Sequence, residues 1–187
     1  MQLRNSDDRY GAVSLTLHWL TVALVALAWG LGQGMDLLPR GEPRAAGLVV
    51  HISAGLAVLA LTVARILWRM VDPAPAPAPT RFGSALDWAS RLVHAVIYGL
   101  LLLVPIAGIV VQFGRGRPLP LFGLGQIPSP WPADRAFARA VLGNHELLAN
   151  VVILLALAHA LAALAHHWLL KDRTLHRMMP HLVRDPR

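Results

Sequence analysis

The residues of this chain most able to do chemistry are its nine histidines, and four of them stand alone inside long apolar runs. His18 is the only ionisable side chain between Val13 and Leu31, and His51 the only one between Leu48 and Ala64. His94 is the only histidine or charged residue between Leu92 and Phe113, and His159 the only one between Leu147 and Ala165. An ionisable side chain at membrane depth is costly, so each is a functional candidate by default. A neutral imidazole offers one lone-pair nitrogen for a metal or a proton, and one N–H to fix the ring.

Spacing turns these candidates into an arrangement. His145 and His159 lie fourteen residues apart, almost four helical turns, so both project from nearly one face. At 1.5 Å per residue their levels differ by about 21 Å. Two sites stacked across a membrane need that geometry, and one site does not. In an up-and-down bundle His18 comes level with His159, and His51 with His145. Zinc or copper ordinarily takes three or four converging ligands, often with Cys or a carboxylate. Two imidazoles from facing helices instead suit the axial positions of haem iron held inside a helical bundle. Gly47 and Gly55 flank His51 by one turn, and Ala156, Ala160 and Ala163 surround His159, leaving room for a flat macrocycle. Small residues are also ordinary at close helix contacts in membranes.

Composition sets the elements that must carry these residues. The 187-residue chain is 56% hydrophobic and only 14% charged, far from the quarter-charged average of soluble domains. A typical soluble enzyme is excluded. The four apolar runs predict four transmembrane helices, at about 13–34, 46–69, 85–113 and 141–170, in a single all-α membrane domain covering 1–187. The first run has Asp7 and Asp8 before it and exceeds an ordinary signal-peptide core, so it reads as helix one. The net charge of +7 does not indicate nucleic-acid binding, because the arginines gather at helix ends and form no stripe along a polar face. Cysteine is absent, which excludes disulfides, thiolate clusters and covalently attached c-type haem.

Charge also predicts orientation. The N-terminus, the second connection and the C-terminus carry eleven Lys and Arg, against six in the other two connections. Both termini are therefore expected in the cytoplasm. Pro73, Pro75, Pro77 and Pro79 alternate with Ala as a short polyproline-like spacer. Gly114–Asp134 reads as an outer loop resting on the interface through Trp131. Pro105 should kink the third helix.

The chain resembles the bacterial cytochrome b561 group, relatives of the cytochrome b subunits that serve nickel–iron hydrogenases. The resemblance runs from about Tyr10 to Pro180. It rests on Leu17-His18-Trp19, His51 with Arg65, His94 to Tyr98 before Pro105, His145-Glu146 with Asn150, His159 with His166-His167-Trp168, and the tail Lys171 to Pro180. It implies two non-covalent haem b groups in a multi-pass protein of the bacterial inner membrane, exchanging electrons with the quinone pool. Some members of the group are superoxide oxidases that reduce ubiquinone. Carried over by position, His18 and His159 hold the inner haem, and His51 and His145 the outer one.

The remaining candidates arrange themselves around those ligands. His94 competes with His18 at the same level and otherwise supports a haem propionate or a quinone. His166 lies seven residues beyond His159, on the same face and about 10 Å nearer the cytoplasm. It is the candidate proton partner of a quinone, with His167, Trp19, Trp168 and Lys171 shaping a headgroup pocket. Arg65, Arg69, Arg115 and Arg117 are positioned to pair with haem propionates, and the outer pair can also draw superoxide inward. His176 and His181 are expected in solvent or among lipid headgroups. The expected function is transfer of single electrons from superoxide, or from another periplasmic donor, to ubiquinone. The alternative is a cytochrome b subunit serving a hydrogenase-like partner. A proton-coupled carrier using the same histidines would show a pair of broken helices, and the sequence has none.

Overall fold

The structure, a computed structural model, describes residues 2–75 and 84–179, with backbone alone for 84–87. Pro77, Pro79 and Arg81 of the expected spacer, and Pro180, His181, Arg184 and Arg187 of the tail, lie outside the described residues. Four helices dominate: α1 Ala12–Gly34, α2 Glu42–Val71, α3 Ser84–Gly114 and α4 Arg135–Trp168. All four are long and apolar enough to cross a membrane. The protein is a multi-pass membrane bundle in which α1 packs chiefly on α2, α3 chiefly on α4, and α2 joins the two pairs.

Two helices begin earlier than the apolar runs suggest, for local reasons. Before α2, Gly41 takes a left-handed φ of 96° and Pro43 occupies the first turn, where its missing N–H costs nothing. At α4 the Asp134 carboxylate accepts the backbone N–H of Phe137 at 3.0 Å, an N-cap that lets the helix start at Arg135 instead of near residue 141. The same helix stops at Trp168, because the N–H groups of Leu169 and Leu170 both turn back to the Ala165 carbonyl. α3 continues through Pro105, which leaves the Leu101 carbonyl without its i+4 donor.

The α3–α4 connection departs from the all-α expectation. Leu119–Leu121 (β1) pairs antiparallel with Gly125–Ile127 (β2), Leu119 standing opposite Ile127. The closing residues Phe122 and Gly123 have φ of 53° and 76°. They are the central residues of the turn that Leu124 N–H closes onto the Leu121 carbonyl, and two positive φ angles there match the twist of a tight hairpin. Glycine meets that demand easily and phenylalanine does not, so the sequence carries only half of the usual signal.

Burial follows from a lipid-facing exterior. The core cluster of Val58, Leu100, Leu101 and Val152 is wrapped by Leu24, Val25, Ile97, Val104, Leu148 and Leu155. On α4 one stripe at seven-residue intervals carries His145, Val152, His159 and His166. A second stripe, two residues on and so about 200° around the helix, carries Leu147, Leu154, Leu161 and Trp168, all at least 62% exposed. The first stripe faces the bundle, and the second faces hydrocarbon.

Candidate functional site

The structure brings His51 of α2 and His145 of α4 opposite each other, with ring centroids 6.2 Å apart and planes nearly perpendicular at 78°. Each ring is held by backbone from a third or fourth helix. Nδ1–H of His51 donates to the Ala28 carbonyl on α1 at 2.8 Å. Nδ1–H of His145 donates to the Val104 carbonyl on α3 at 2.9 Å. A carbonyl can only accept, so the proton sits on Nδ1 and the Nε2 lone pair is free. Orientation of this kind, by a hydrogen bond from the other ring nitrogen, is what a metal-binding imidazole ordinarily receives.

Both rings also lie against a glycine four residues beyond the accepting carbonyl. A Cβ at Gly32 would stand 3.4 Å from His51 Cε1, and one at Gly108 would stand 3.3 Å from His145 Cε1. By sequence, Gly47 and Gly55 leave room beside His51 for a flat macrocycle. Gly47 instead receives Leu38, and Gly55 has no neighbour within 4 Å of the position a Cβ would take. Gly32 was not singled out, because it stands on a different helix from the histidine it serves. At the same depth Asn150 Oδ1 accepts both Trp29 Nε1–H at 2.9 Å and Gln33 Nε2–H at 3.1 Å, tying α1 to α4.

At the other end, three imidazoles and a guanidinium gather. The ring facing His159 is that of His94, with centroids 5.0 Å apart. Nδ1–H of His94 donates to the Ser90 carbonyl of its own helix at 2.6 Å. His18 lies within electrostatic range of both His159 and His94. Its Nδ1 accepts from Arg65 Nη1 at 3.1 Å. The Arg65 guanidinium also lies 5.4 Å from the Tyr98 ring centre. The Tyr98 hydroxyl and the Trp68 indole N–H are buried without a partner among the described residues. Arg69, one turn further along α2, is exposed.

Beyond α4 the chain folds back as a strap. Asp172 Oδ2 accepts Nδ1–H of His166 at 2.5 Å, and its Oδ1 accepts the Thr174 N–H at 2.9 Å. Burial pushes the Asp172 carboxyl upward, but the hydrogen bonds from His166 and Thr174 outweigh it and hold the carboxyl below its usual range. Trp19 Nε1–H donates to the Met178 carbonyl at 2.8 Å, and Arg177 donates to the Asp7 and Asp8 carbonyls. His176, expected in solvent or among headgroups, is instead half-buried against His167, with centroids 4.8 Å apart. Lys171 is exposed with a left-handed φ of 53°. Trp168 lies on the lipid-facing stripe at 67% exposure, away from the face that carries His166. Sequence reasoning missed Asp172 as a partner, since it sits beyond the helix end in a turn with no periodic signature.

Arg115 and Arg117, at the end holding the α3–α4 connection, line a cleft of about 410 Å³ together with Arg135, Arg139 and Leu142. Arg135 and Arg139, which by hydropathy alone belong to the connection, stand in the first turns of α4 because the Asp134 cap starts that helix earlier than its apolar run.

Residues 9–181 match the family model described as prokaryotic cytochrome b561. The chain belongs to that family. It is 37% identical over 177 residues to the probable superoxide oxidase CybB of Yersinia pestis, covering 92% of this chain and 96% of the relative. Cytochrome b561 homolog 2 of Escherichia coli is 32% identical over 182 residues, covering 96% and 95%. Cytochrome b562 of Cereibacter sphaeroides is 34% identical over 178 residues, covering 92% and 96%. Membership makes this a multi-pass bacterial inner-membrane protein that transfers electrons and binds haem b.

The donors present can be tested against that group. A ring nitrogen stands ~2 Å from a bound first-row metal, with the ring centre about 1 Å behind it, so two axial imidazoles on one iron lie about 6 Å apart. The His51–His145 separation of 6.2 Å and the free Nε2 atoms match. Among the described residues no three His, Cys, Asp or Glu side chains converge as direct ligands of a bare ion. The other end of the bundle gathers three imidazoles, and beside them a guanidinium and a buried phenol suited to a carboxylate.

Proposed function

We propose that the chain holds two haem b groups, one at each end of the bundle, and moves single electrons from superoxide at the outer face to ubiquinone near the inner face. The observation that carries this reading is the facing pair His51 and His145, each with Nδ1–H bound to a backbone carbonyl. Haem b, when bound, supplies a one-electron couple that backbone and side chains lack. The charge count that puts both termini in the cytoplasm makes the His51–His145 end the outer one.

The outer ligands are His51 and His145. The inner ligands are His159 and, by the family resemblance, His18. Because the ring facing His159 here is that of His94, a second reading gives His94 the inner position. His18→Ala and His94→Ala decide between them, since only the ligand variant loses one haem. Arg65 and the Tyr98 hydroxyl supply donors for an inner haem carboxylate. The apolar core of Val58, Leu100, Leu101 and Val152 separates the two ends and keeps the interior dry, which confines charge movement to electrons.

The choice of donor draws on the Yersinia pestis relative, whose name is that of a probable superoxide oxidase. Two superoxide anions each lose one electron and become dioxygen, while one quinone takes up two electrons and two protons. His166, on the bundle face of α4 and clamped by Asp172, is placed to pass protons at the cytoplasmic boundary. Trp19, His167 and Lys171 flank that end, and Trp168 stands on its lipid side.

The deciding assay gives purified holoprotein a superoxide source and a soluble ubiquinone, and follows quinol formation. Turnover by the chain alone supports the reading. Reduced haem with no quinol, or no reduction without an added periplasmic protein, favours a subunit that serves another redox partner. The short α1–α2 connection, only Met35–Gly41, offers little platform for such a partner.

A further inference from the structure

The end of the bundle that carries the α3–α4 connection concentrates charge against expectation. Of the six basic residues in the two connections on that side, four surround one cleft of about 410 Å³. Arg115 follows the end of α3, and Arg117 follows the left-handed turn at Gly116 (φ 68°). Arg135 and Arg139 stand one turn apart at the start of α4, and Leu142 closes the apolar side of the cleft. Among the described residues none of these four guanidiniums has an ion pair or side-chain hydrogen bond. The nearest acid in sequence, Asp134, spends its carboxylate on the Phe137 N–H. Four unpaired guanidiniums around one space repel each other unless an anion sits between them.

The depth of the cleft indicates the anion. Phe122, Leu124, Ile127, Trp131 and Phe137, on the hairpin, the segment after it and the first turn of α4, are between 43% and 92% exposed. Exposed aromatic and aliphatic side chains of this kind belong at the membrane interface. The arginines beside them therefore stand at the level of lipid phosphates. The cleft, about 410 Å³ and open on one side, has room for a group larger than a diatomic anion. It fits a headgroup with its phosphodiester, whose oxygens match the planar fork of arginine.

We propose that Arg115, Arg117, Arg135 and Arg139 form a binding site for the phosphodiester headgroup of an anionic phospholipid of the outer leaflet. Leu142 and the hairpin side chains receive the first methylenes of its acyl chains. The site anchors the α3–α4 connection to the membrane surface above His145.

Native mass spectrometry of the haem-loaded full chain in detergent tests this with phosphatidylglycerol, phosphatidylcholine and inorganic phosphate as separate probes. Phosphatidylglycerol should be retained in preference to phosphatidylcholine, and millimolar inorganic phosphate should not displace it. At about 1 kcal/mol per basic residue near a charged surface, the double variant R135Q/R139Q should bind phosphatidylglycerol about 30-fold more weakly, and R135K/R139K, which keeps the charge but not the fork, should fall between that variant and wild type. Equal retention of both lipids, equal retention by wild type and R135Q/R139Q, or displacement by inorganic phosphate would each overturn the proposal. The haem count and absorption spectrum of the same samples report separately on the electron-transfer reading, so the two can fail independently.

Discussion

Replacing His145 by Ala tests the arrangement at its most informative point. The side chain contributes one hydrogen bond to the protein, from Nδ1–H to the Val104 carbonyl, about 1 kcal/mol net. That carbonyl sits inside α3 and keeps its helical donor, so the apoprotein should still fold. What the variant removes is one of two imidazoles whose centres lie 6.2 Å apart. The other end of the bundle lies fourteen residues along α4, about 21 Å away, with Val152 buried midway. The inner haem should therefore not register the loss. Pyridine haemochrome quantitation should fall from two haem b per polypeptide to one in His145→Ala, and equally in His51→Ala. The double variant should also retain one, because in the proposed arrangement both residues would hold the same iron. A monodisperse, helical variant that keeps both haems, or that loses both, would refute the two-tier arrangement. A double variant with less haem than either single one would refute the pairing itself.

Three further outcomes follow from the geometry. Gly108→Ala places a Cβ 3.3 Å from His145 Cε1, and Gly32→Ala places one 3.4 Å from His51 Cε1. The first must displace the ring by a few tenths of an ångström and the second is an ordinary contact, so Gly108→Ala should disturb the low-spin spectrum and midpoint of the outer haem more than Gly32→Ala does. Asn150→Leu removes the shared acceptor of Trp29 and Gln33. With interhelical hydrogen bonds in membranes averaging about 0.6 kcal/mol, the loss should be about 1 kcal/mol by denaturant titration in detergent. The lowered Asp172 pKa makes docking of the C-terminal strap pH-dependent. Its contribution is complete above the ordinary aspartate range near 3.8 and is lost as pH falls through the lowered value. Protease sensitivity of residues 169–179 should therefore rise at low pH in the wild type, with Asp172→Asn sensitive throughout.

The parts of this molecule legible in its sequence are those whose information lies on a single helix. The fourteen residues between His145 and His159 set both level and face, and hydropathy alone delimits four spans. What escaped depends on register between helices. Gly32 serves a histidine of α2 and Gly108 a histidine of α4, and no spacing within α1 or α3 announces either. Asp172 reaches His166 only after the chain has reversed at Lys171. The hairpin was hidden because Phe122 takes a conformation normally left to glycine or asparagine. Arg135 and Arg139 looked like separate loop charges until the Asp134 cap extended α4 back to include them.

The two ends of the bundle fix their imidazoles by different means, and this bears on what each end can do. At the outer end both Nδ1 protons are bound to helix carbonyls, acceptors that no side-chain change can remove and no pH change can titrate. The tautomer that exposes Nε2 is thus a property of the fold. At the inner end the Nδ1 of His18 accepts from a side chain, Arg65, and a guanidinium is always a donor. While that bond persists the neutral His18 ring must carry its proton on Nε2, which leaves that nitrogen without a lone pair for iron. If His18 is the inner ligand, as proposed, its Nε2 would become available only once Arg65 leaves Nδ1, and a haem carboxylate beside the Tyr98 hydroxyl would offer the guanidinium a better partner than imidazole. Arg65→Gln should weaken retention of the inner haem while leaving the outer haem in place.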